Sequence, residues 1–167
     1  MFTTIKAFEE TWQRESGLTQ AILDVLTDQS LSQAVTSQNR TLGRVAWHLV
    51  TSLHEMLSRT GLDFDAPHHD APLPDSAEFI AQSYKKASSA LLQAISEKWT
   101  DSSLQEKNDM YGEQWRNGAT LTVLVYHQIH HRGQMTVLMR QAGLPVPGIY
   151  GPSLEDWSTM GMEPPEI

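Results

Sequence analysis

Leu121-Thr-Val-Leu124-Val-Tyr126-His127-Gln128-Ile129-His130-His131-Arg132-Gly133-Gln134-Met135-Thr-Val-Leu138 is the stretch that decides how this chain folds. Its first six residues are β-prone, yet Leu121, Leu124, His127, Gln128, His131, Met135 and Leu138 recur three or four apart, the beat of one helix face. The period outweighs the propensity and predicts a helix over about 118–142, with Gly143 as its C-terminal cap. Residues four apart share a face, so His127 and His131 aim at one point while His130 points elsewhere. Seven histidines in 167 residues give about 0.3 such pairs by chance, so a third donor is needed before the pair means metal. The best candidate is His48, in Arg44-Val-Ala-Trp47-His48-Leu-Val, itself part of an amphipathic helical pattern.

Outward from that segment the chain reads as three more helices. Ile5, Phe8, Trp12, Ile22, Val25 and Leu26, with Glu9, Glu10 and Arg14 between them, predict a first helix over about 3–27. A polar connection follows, with Leu31 and Val35 as its candidate anchors. Thr41 can cap a second helix over about 41–60, carrying Val45, Leu49, Leu53 and Met56 on one stripe and stopping at Gly61. Residues 62–74, with three prolines and Asp63, Asp65 and Asp70, read as a surface loop. Asp75 and Glu78 resemble a capping box for a third helix over about 75–99, built on Ala77, Ile80, Tyr84, Ala87, Leu91, Ala94 and Ile95. Residues 100–117 read as polar connection, no strand shows convincing alternation, and the Pro/Gly-rich tail from Leu144 is expected to wrap the outside, with one helical turn around Leu154 to Trp157. The fold class expected is all-α: a four-helix bundle with long connections, one domain over 1–167, a fold that builds metal sites from side chains on facing helices.

Composition narrows the chemistry. With no cysteine there is no disulfide framework, no thiolate zinc site and no cysteine nucleophile, leaving histidine, carboxylate and water as ligands. A net charge of −8 opposes a nucleic-acid partner, whose phosphates are met by Lys and Arg. No apolar run approaches the ~20 residues of a membrane span, and Met1-Phe-Thr-Thr-Ile-Lys6 lacks the features of a signal peptide, so the expectation is a cytoplasmic protein that does not engage membranes.

Trp47-His48-Leu49, followed much later by His127-Gln-Ile-His130-His131-Arg132-Gly133-Gln134 and by Gly143-Leu-Pro-Val-Pro-Gly-Ile-Tyr150-Gly-Pro152, resembles the signature of the DinB-like family, also called the YfiT-like metalloenzyme group. The resemblance covers nearly the whole chain. It implies a four-helix bundle, often homodimeric, that holds zinc or nickel through three histidines, here His48, His127 and His131. It also implies kinship with proteins that transfer low-molecular-weight thiols to electrophiles or isomerise maleylpyruvate with a thiol cofactor.

Three neutral imidazoles leave a divalent ion at +2 with room for water or substrate, the arrangement of catalytic rather than closed structural zinc. Such an ion lowers the pKa of bound water toward ~7 or holds a thiol as thiolate, and with no cysteine here that thiol must be a cofactor. Imidazole ligands do not identify the metal and availability usually decides, so zinc is expected first and nickel second. Glu55, two turns past His48 on the same face, is a candidate partner of the ligands or a base. Gln134, three residues after His131, is a candidate to face the site, and Trp47, Trp115 and Tyr126 are candidates to line a pocket, against the plainer reading of core packing. Arg132 is expected to pair with a carboxylate. Gly133 reads as admitting close approach of a backbone or ligand, with plain helix packing as the alternative. His54, His68, His69 and His130 read as solvent-facing or supporting groups.

Two functions compete at this level. One is a metal-dependent enzyme acting on a small electrophile by thiol transfer or hydrolysis. The other is a non-catalytic metal-binding or stress-response module with a structural or incidental metal. A DNA-related role ranks behind both, because the charge opposes it.

Overall fold

The computed structural model describes residues 1–166, which form a four-helix bundle with a small hairpin and a tail helix. In chain order the elements are α1 (Ile5–Leu23), α2 (Leu42–Leu57), α3 (Ala77–Lys98), β1 (Lys107–Met110), β2 (Glu113–Arg116), α4 (Asn117–Gln141) and α5 (Leu154–Thr159). α1 and α2 each pack chiefly against α3 and α4, so the α2–α4 seam is one of four around the core. Phe8, Trp12, Leu49, Leu53, Tyr84, Leu91, Leu121, Leu124 and Met135 fill the interior.

The helix ends follow from hydrogen-bonding needs of the first amides. Thr4 Oγ1 accepts from Ala7 N, and Asp101 Oδ1 accepts from Ile5 N at 2.7 Å. Thr41 caps α2 through Arg44 N, as its position suggests. α2 closes through a 3₁₀ turn, Ser58–Thr60, onto Gly61 at φ 76°. The cap of α3 is Ser76 rather than Asp75: its hydroxyl accepts from Phe79 N, and Asp28, reaching over from the first connection, accepts from Ala77 N at 2.7 Å. Of the two anchors expected in that connection, Leu31 is buried, whereas Val35 is exposed.

The region 100–117 corrects the sequence reading, because it contains an antiparallel hairpin, Lys107↔Arg116 to Met110↔Glu113. Tyr111 (φ 60°) and Gly112 (φ 89°) both take positive φ at the turn, the requirement of a tight two-residue hairpin connection. Only Met110 of β1 is buried, so no alternation over several residues announces the strands. The tail is held where the sequence expects it to wrap: Val146 is buried and Arg140 pairs with Glu155 of α5.

α4 carries an unusual load of buried polar groups, among them Asn117, Gln128, His131 and Arg132. Each has a partner that explains it. Asn117 ties the hairpin to the helix through Asn108 and Ser103 O. Arg132, expected to pair with a carboxylate, donates from Nη2 to Glu15 Oε2 at 2.6 Å and to the Tyr150 hydroxyl at 2.6 Å, and from Nη1 to Glu15 O at 2.8 Å. At Gly133 neither a close backbone nor helix packing is found: it is exposed, and a Cβ there would meet nothing within 4 Å. The close approach occurs at Gly118 instead, where a Cβ would lie 2.2 Å from Phe2 O.

Candidate metal centre

α2 supplies His48 and α4 supplies His127 and His131 across the seam. The Nε2 atoms of His48 and His127 lie 3.0 Å apart, and those of His131 and His127 3.1 Å apart. Zinc–nitrogen bonds of 2.0–2.1 Å in a tetrahedron put ligand nitrogens about 3.3 Å from one another, so the three rings already stand close to that spacing. His48 and His127 are half-buried and His131 is buried.

Proton placement supports the same reading. His131 Nδ1 faces Gln134 Oε1 at 2.7 Å; Nδ1 is therefore the protonated nitrogen and Nε2 presents its lone pair to the centre. His127 Nε2 meets two imidazole nitrogens at once and can satisfy only one with a proton, while its Nδ1 is buried with no partner among the described residues. A single cation would engage all three lone pairs. Burial is the main reason the rings stay neutral: it lowers the pKa of His48 to about 4 and of His127 to about 3, helped by the neighbouring His131 in each case. Burial also lowers His131, opposed by the bond to Gln134.

Gln128 holds the seam in register beside these rings. It is fully buried, donates from Nε2 to Leu49 O at 3.1 Å and accepts from the Tyr84 hydroxyl at 3.1 Å, thereby linking α4 to α2 and α3. The helical beat includes this residue without revealing what it bonds.

A cleft of about 590 Å³ opens beside the cluster, lined by Val35, Asn39, Arg40, Val45, His131, Gln134, Val137 and Leu138. Arg40 contributes a positive charge that all three rings feel. Sequence reasoning missed it, because it lies in the polar connection before α2, where no period marks a face.

The other candidates are placed as follows. Gln134 touches the cluster. Glu55 makes no hydrogen bond to the three rings; its carboxylate accepts from the Tyr111 hydroxyl at 3.1 Å, although its charge reaches His48. Trp47 is buried beneath the 62–74 connection, donating to Ala71 O at 3.0 Å and packing on Phe79, so it belongs to the core. Tyr126 is exposed and lines a separate groove with Phe2 and Thr11. Trp115 is held at the hairpin by Glu113. His130 is exposed beside His131. His54, His68 and His69 form a group of their own.

Fold and site together define a helical-bundle protein with a tri-histidine cluster that could hold a metal ion. Residues 1–166 match the model of the DinB family. The uncharacterized protein YrdA of Bacillus subtilis (strain 168) is 53% identical over 167 residues, the full length of both chains. A crystal structure of a DinB-like protein from Bacillus cereus ATCC 10987 shares 51% identity at a TM-score of 0.87, over 90% of this chain and 100% of that one. A second crystal structure, of the DinB-like protein YjoA from Bacillus subtilis, shares the fold at a TM-score of 0.67 and 16% identity, over 87% of this chain and 98% of that one. The chain belongs to the DinB family. Among the described residues no helix is long and apolar enough to cross a membrane.

Proposed function

We propose that this protein is a divalent-metal-dependent enzyme acting on a small electrophile, by thiol transfer or hydrolysis, with His48, His127 and His131 as the ligands. The observation that carries this reading is the convergence of three neutral Nε2 atoms beside an open cleft. Zinc is the first candidate metal and nickel the second. A cation bound there supplies Lewis acidity and favours the deprotonated form of water or of a thiol.

The chain's own groups do the rest. Gln134 fixes the tautomer of His131, and Gln128 sets the depth at which α4 presents its two imidazoles to α2. Val35, Val45, Val137 and Leu138 offer apolar walls, and Arg40 and Asn39 offer polar contacts, so the cleft suits a small, partly apolar molecule with an anionic group. Glu55 is the proposed proton acceptor, since its charge already acts on His48. The chain has no cysteine, so the thiol in a transfer reaction is a low-molecular-weight cosubstrate. A cytoplasmic, homodimeric protein completes the proposal.

One observation favours a non-catalytic metal-binding module instead: the carboxylate of Glu55 is engaged with Tyr111. Protein purified without a metal-affinity tag separates the two readings. Zinc-loaded, chelator-treated and His131→Ala forms are compared in thiol-conjugation and hydrolase screens, with activity expected in the first form alone. Equal rates in all three refute the enzyme reading. In parallel melts, zinc at 100 times its Kd stabilises by about 2.7 kcal/mol, a rise of roughly 5–11 °C for a chain of this size. The stripped protein keeps its helicity, because the apolar core does not include the ligands; loss of helicity on stripping would make the metal structural.

A further inference from the structure

A second group of imidazoles stands on the other side of α2. His54 lies six residues after His48, which places it about 9 Å further along the helix axis and about 120° around it. It therefore faces the 62–74 connection rather than α4. There it meets His68 and His69, with ring centroids 4.7 Å and 6.1 Å away, and one nitrogen from each of the three rings lies within 4.8 Å of the others. We propose that His54, His68 and His69 form a second divalent-cation site, separate from the cluster shared by α2 and α4.

Three independent features support it. First, Asp70 bonds His68 Nδ1; a carboxylate on the far nitrogen of a ligating ring orients it and turns Nε2 outward as the donor. Second, His54 Nδ1 is buried with no hydrogen-bond partner among the described residues, so one nitrogen of this ring lacks a use that the protein supplies. Third, the segment carrying His68 and His69 is held against the bundle. Trp47, one heptad before His54 on the same face, donates to Ala71 O at 3.0 Å, and Ala71 N in turn bonds His68 O at 3.0 Å. Lys86 pairs with Asp65 at 2.7 Å, and Lys98 donates to Asp63 O at 2.6 Å. Leu62 is buried in the core. Pro67, Pro72 and Pro74 further limit the backbone freedom of the loop.

The donor set suits zinc, copper or nickel: three imidazoles, a coordination position open to water, and no thiolate. Tetrahedral zinc wants its nitrogens about 3.3 Å apart, so these rings must close by about 1.5 Å at most, which two exposed side chains on a loop can do by small χ rotations. That adjustment makes the site weaker than the pre-formed α2–α4 cluster, by tenfold or more in Kd. Occupied, it would staple the 62–74 connection to α2.

Calorimetric titration of chelator-stripped, tag-free protein with Zn²⁺ at pH 7.5 tests the proposal. The wild type is expected to take up two equivalents, one strong and one at least tenfold weaker. His68→Ala/His69→Ala, on an exposed loop where folding is not at stake, keeps only the strong one. His127→Ala/His131→Ala, checked for helicity by circular dichroism, keeps only the weak one. In that variant Zn²⁺ also slows amide hydrogen exchange within 62–74. The proposal is overturned if the wild type takes up no weak equivalent, or if the weak equivalent survives His68→Ala/His69→Ala. Loss of the strong equivalent alone would count against the α2–α4 cluster and leave this site standing.

Discussion

Replacing Arg132 with alanine is the most informative test of how the bundle tolerates a polar α4. The guanidinium is almost wholly buried, with side-chain exposure of 2% against 7% for Glu15. It supplies charge-assisted bonds to the Glu15 carboxylate, the Glu15 carbonyl and Tyr150, and a further bond to Thr19 Oγ1 at 3.1 Å. After truncation the Glu15 carboxylate remains inside with only the Tyr150 hydroxyl, 2.5 Å away, as a partner. Removing one member of a buried ion pair destabilises by about 3–5 kcal/mol, because the remaining charge is uncompensated. That corresponds to a fall in Tm of roughly 6–20 °C for a chain of this length. Urea unfolding followed by circular dichroism measures it at pH 7.5. The control is Glu15→Leu/Arg132→Met, which removes both charges and is expected to recover most of the loss. A cost below about 1 kcal/mol for Arg132→Ala, or a double variant no better than the single one, would refute the argument. Because Arg132 points at α1 and the tail, zinc affinity of the folded variant is expected to stay at the wild-type value; a large drop would move Arg132 into the site.

Gln134→Ala is expected to lower zinc affinity about 10–100-fold while leaving the fold intact, since it frees His131 Nδ1 from its acceptor; competition against a chromophoric chelator reads this out. Gly133→Ala should stabilise by about 0.5–1 kcal/mol, whereas Gly118→Ala should destabilise by about 1–3 kcal/mol, and urea midpoints of opposite sign check the pair. For the metal-free protein, His48 and His127 have folded pKa values of about 4 and about 3, below the unfolded value near 6.5. The unfolded chain thus binds more protons in that window, so the contribution of these rings is complete above pH 6.5 and fades as pH falls toward 4 and then 3. His48→Ala/His127→Ala is expected to flatten the decline of the urea midpoint between pH 6.5 and 4; an unchanged slope would contradict the burial of these rings.

Residues with a periodic context were legible in the sequence. The beat of α3 and α4, the cap at Thr41 and the stops at Gly61 and Gly143 depend on local stereochemistry, and the structure places helices there. The pair His127 and His131 was legible because four residues is nearly one helical turn, and His48 because the family pattern pointed to it. Other features depend on tertiary partners that no local rule names. Arg40 comes to the cleft through the path of an aperiodic connection. Gln128 looks like any polar residue on a helix until Leu49 O and Tyr84 are brought to it. The hairpin escaped notice because its strands have four residues each and Tyr111-Gly112 replaces the more familiar Asn-Gly turn. His68 and His69 are solvent-facing as their loop context predicts, but nothing local says that Trp47 pins that loop beside His54.

The α2–α4 cluster draws one donor from one helix and two from the other, and this makes it a gauge of the gap between them. A displacement of half an ångström at the seam takes the separation between His48 Nε2 and His127 Nε2 from 3.0 Å through the roughly 3.3 Å of tetrahedral zinc to its far side. If the cluster holds an ion as proposed, a molecule entering the adjoining cleft must therefore alter ion retention, strengthening it as the helices approach that spacing and weakening it as they leave it. Thermodynamic reciprocity then requires a bound ion to grade those same molecules by the seam width at which each one fits.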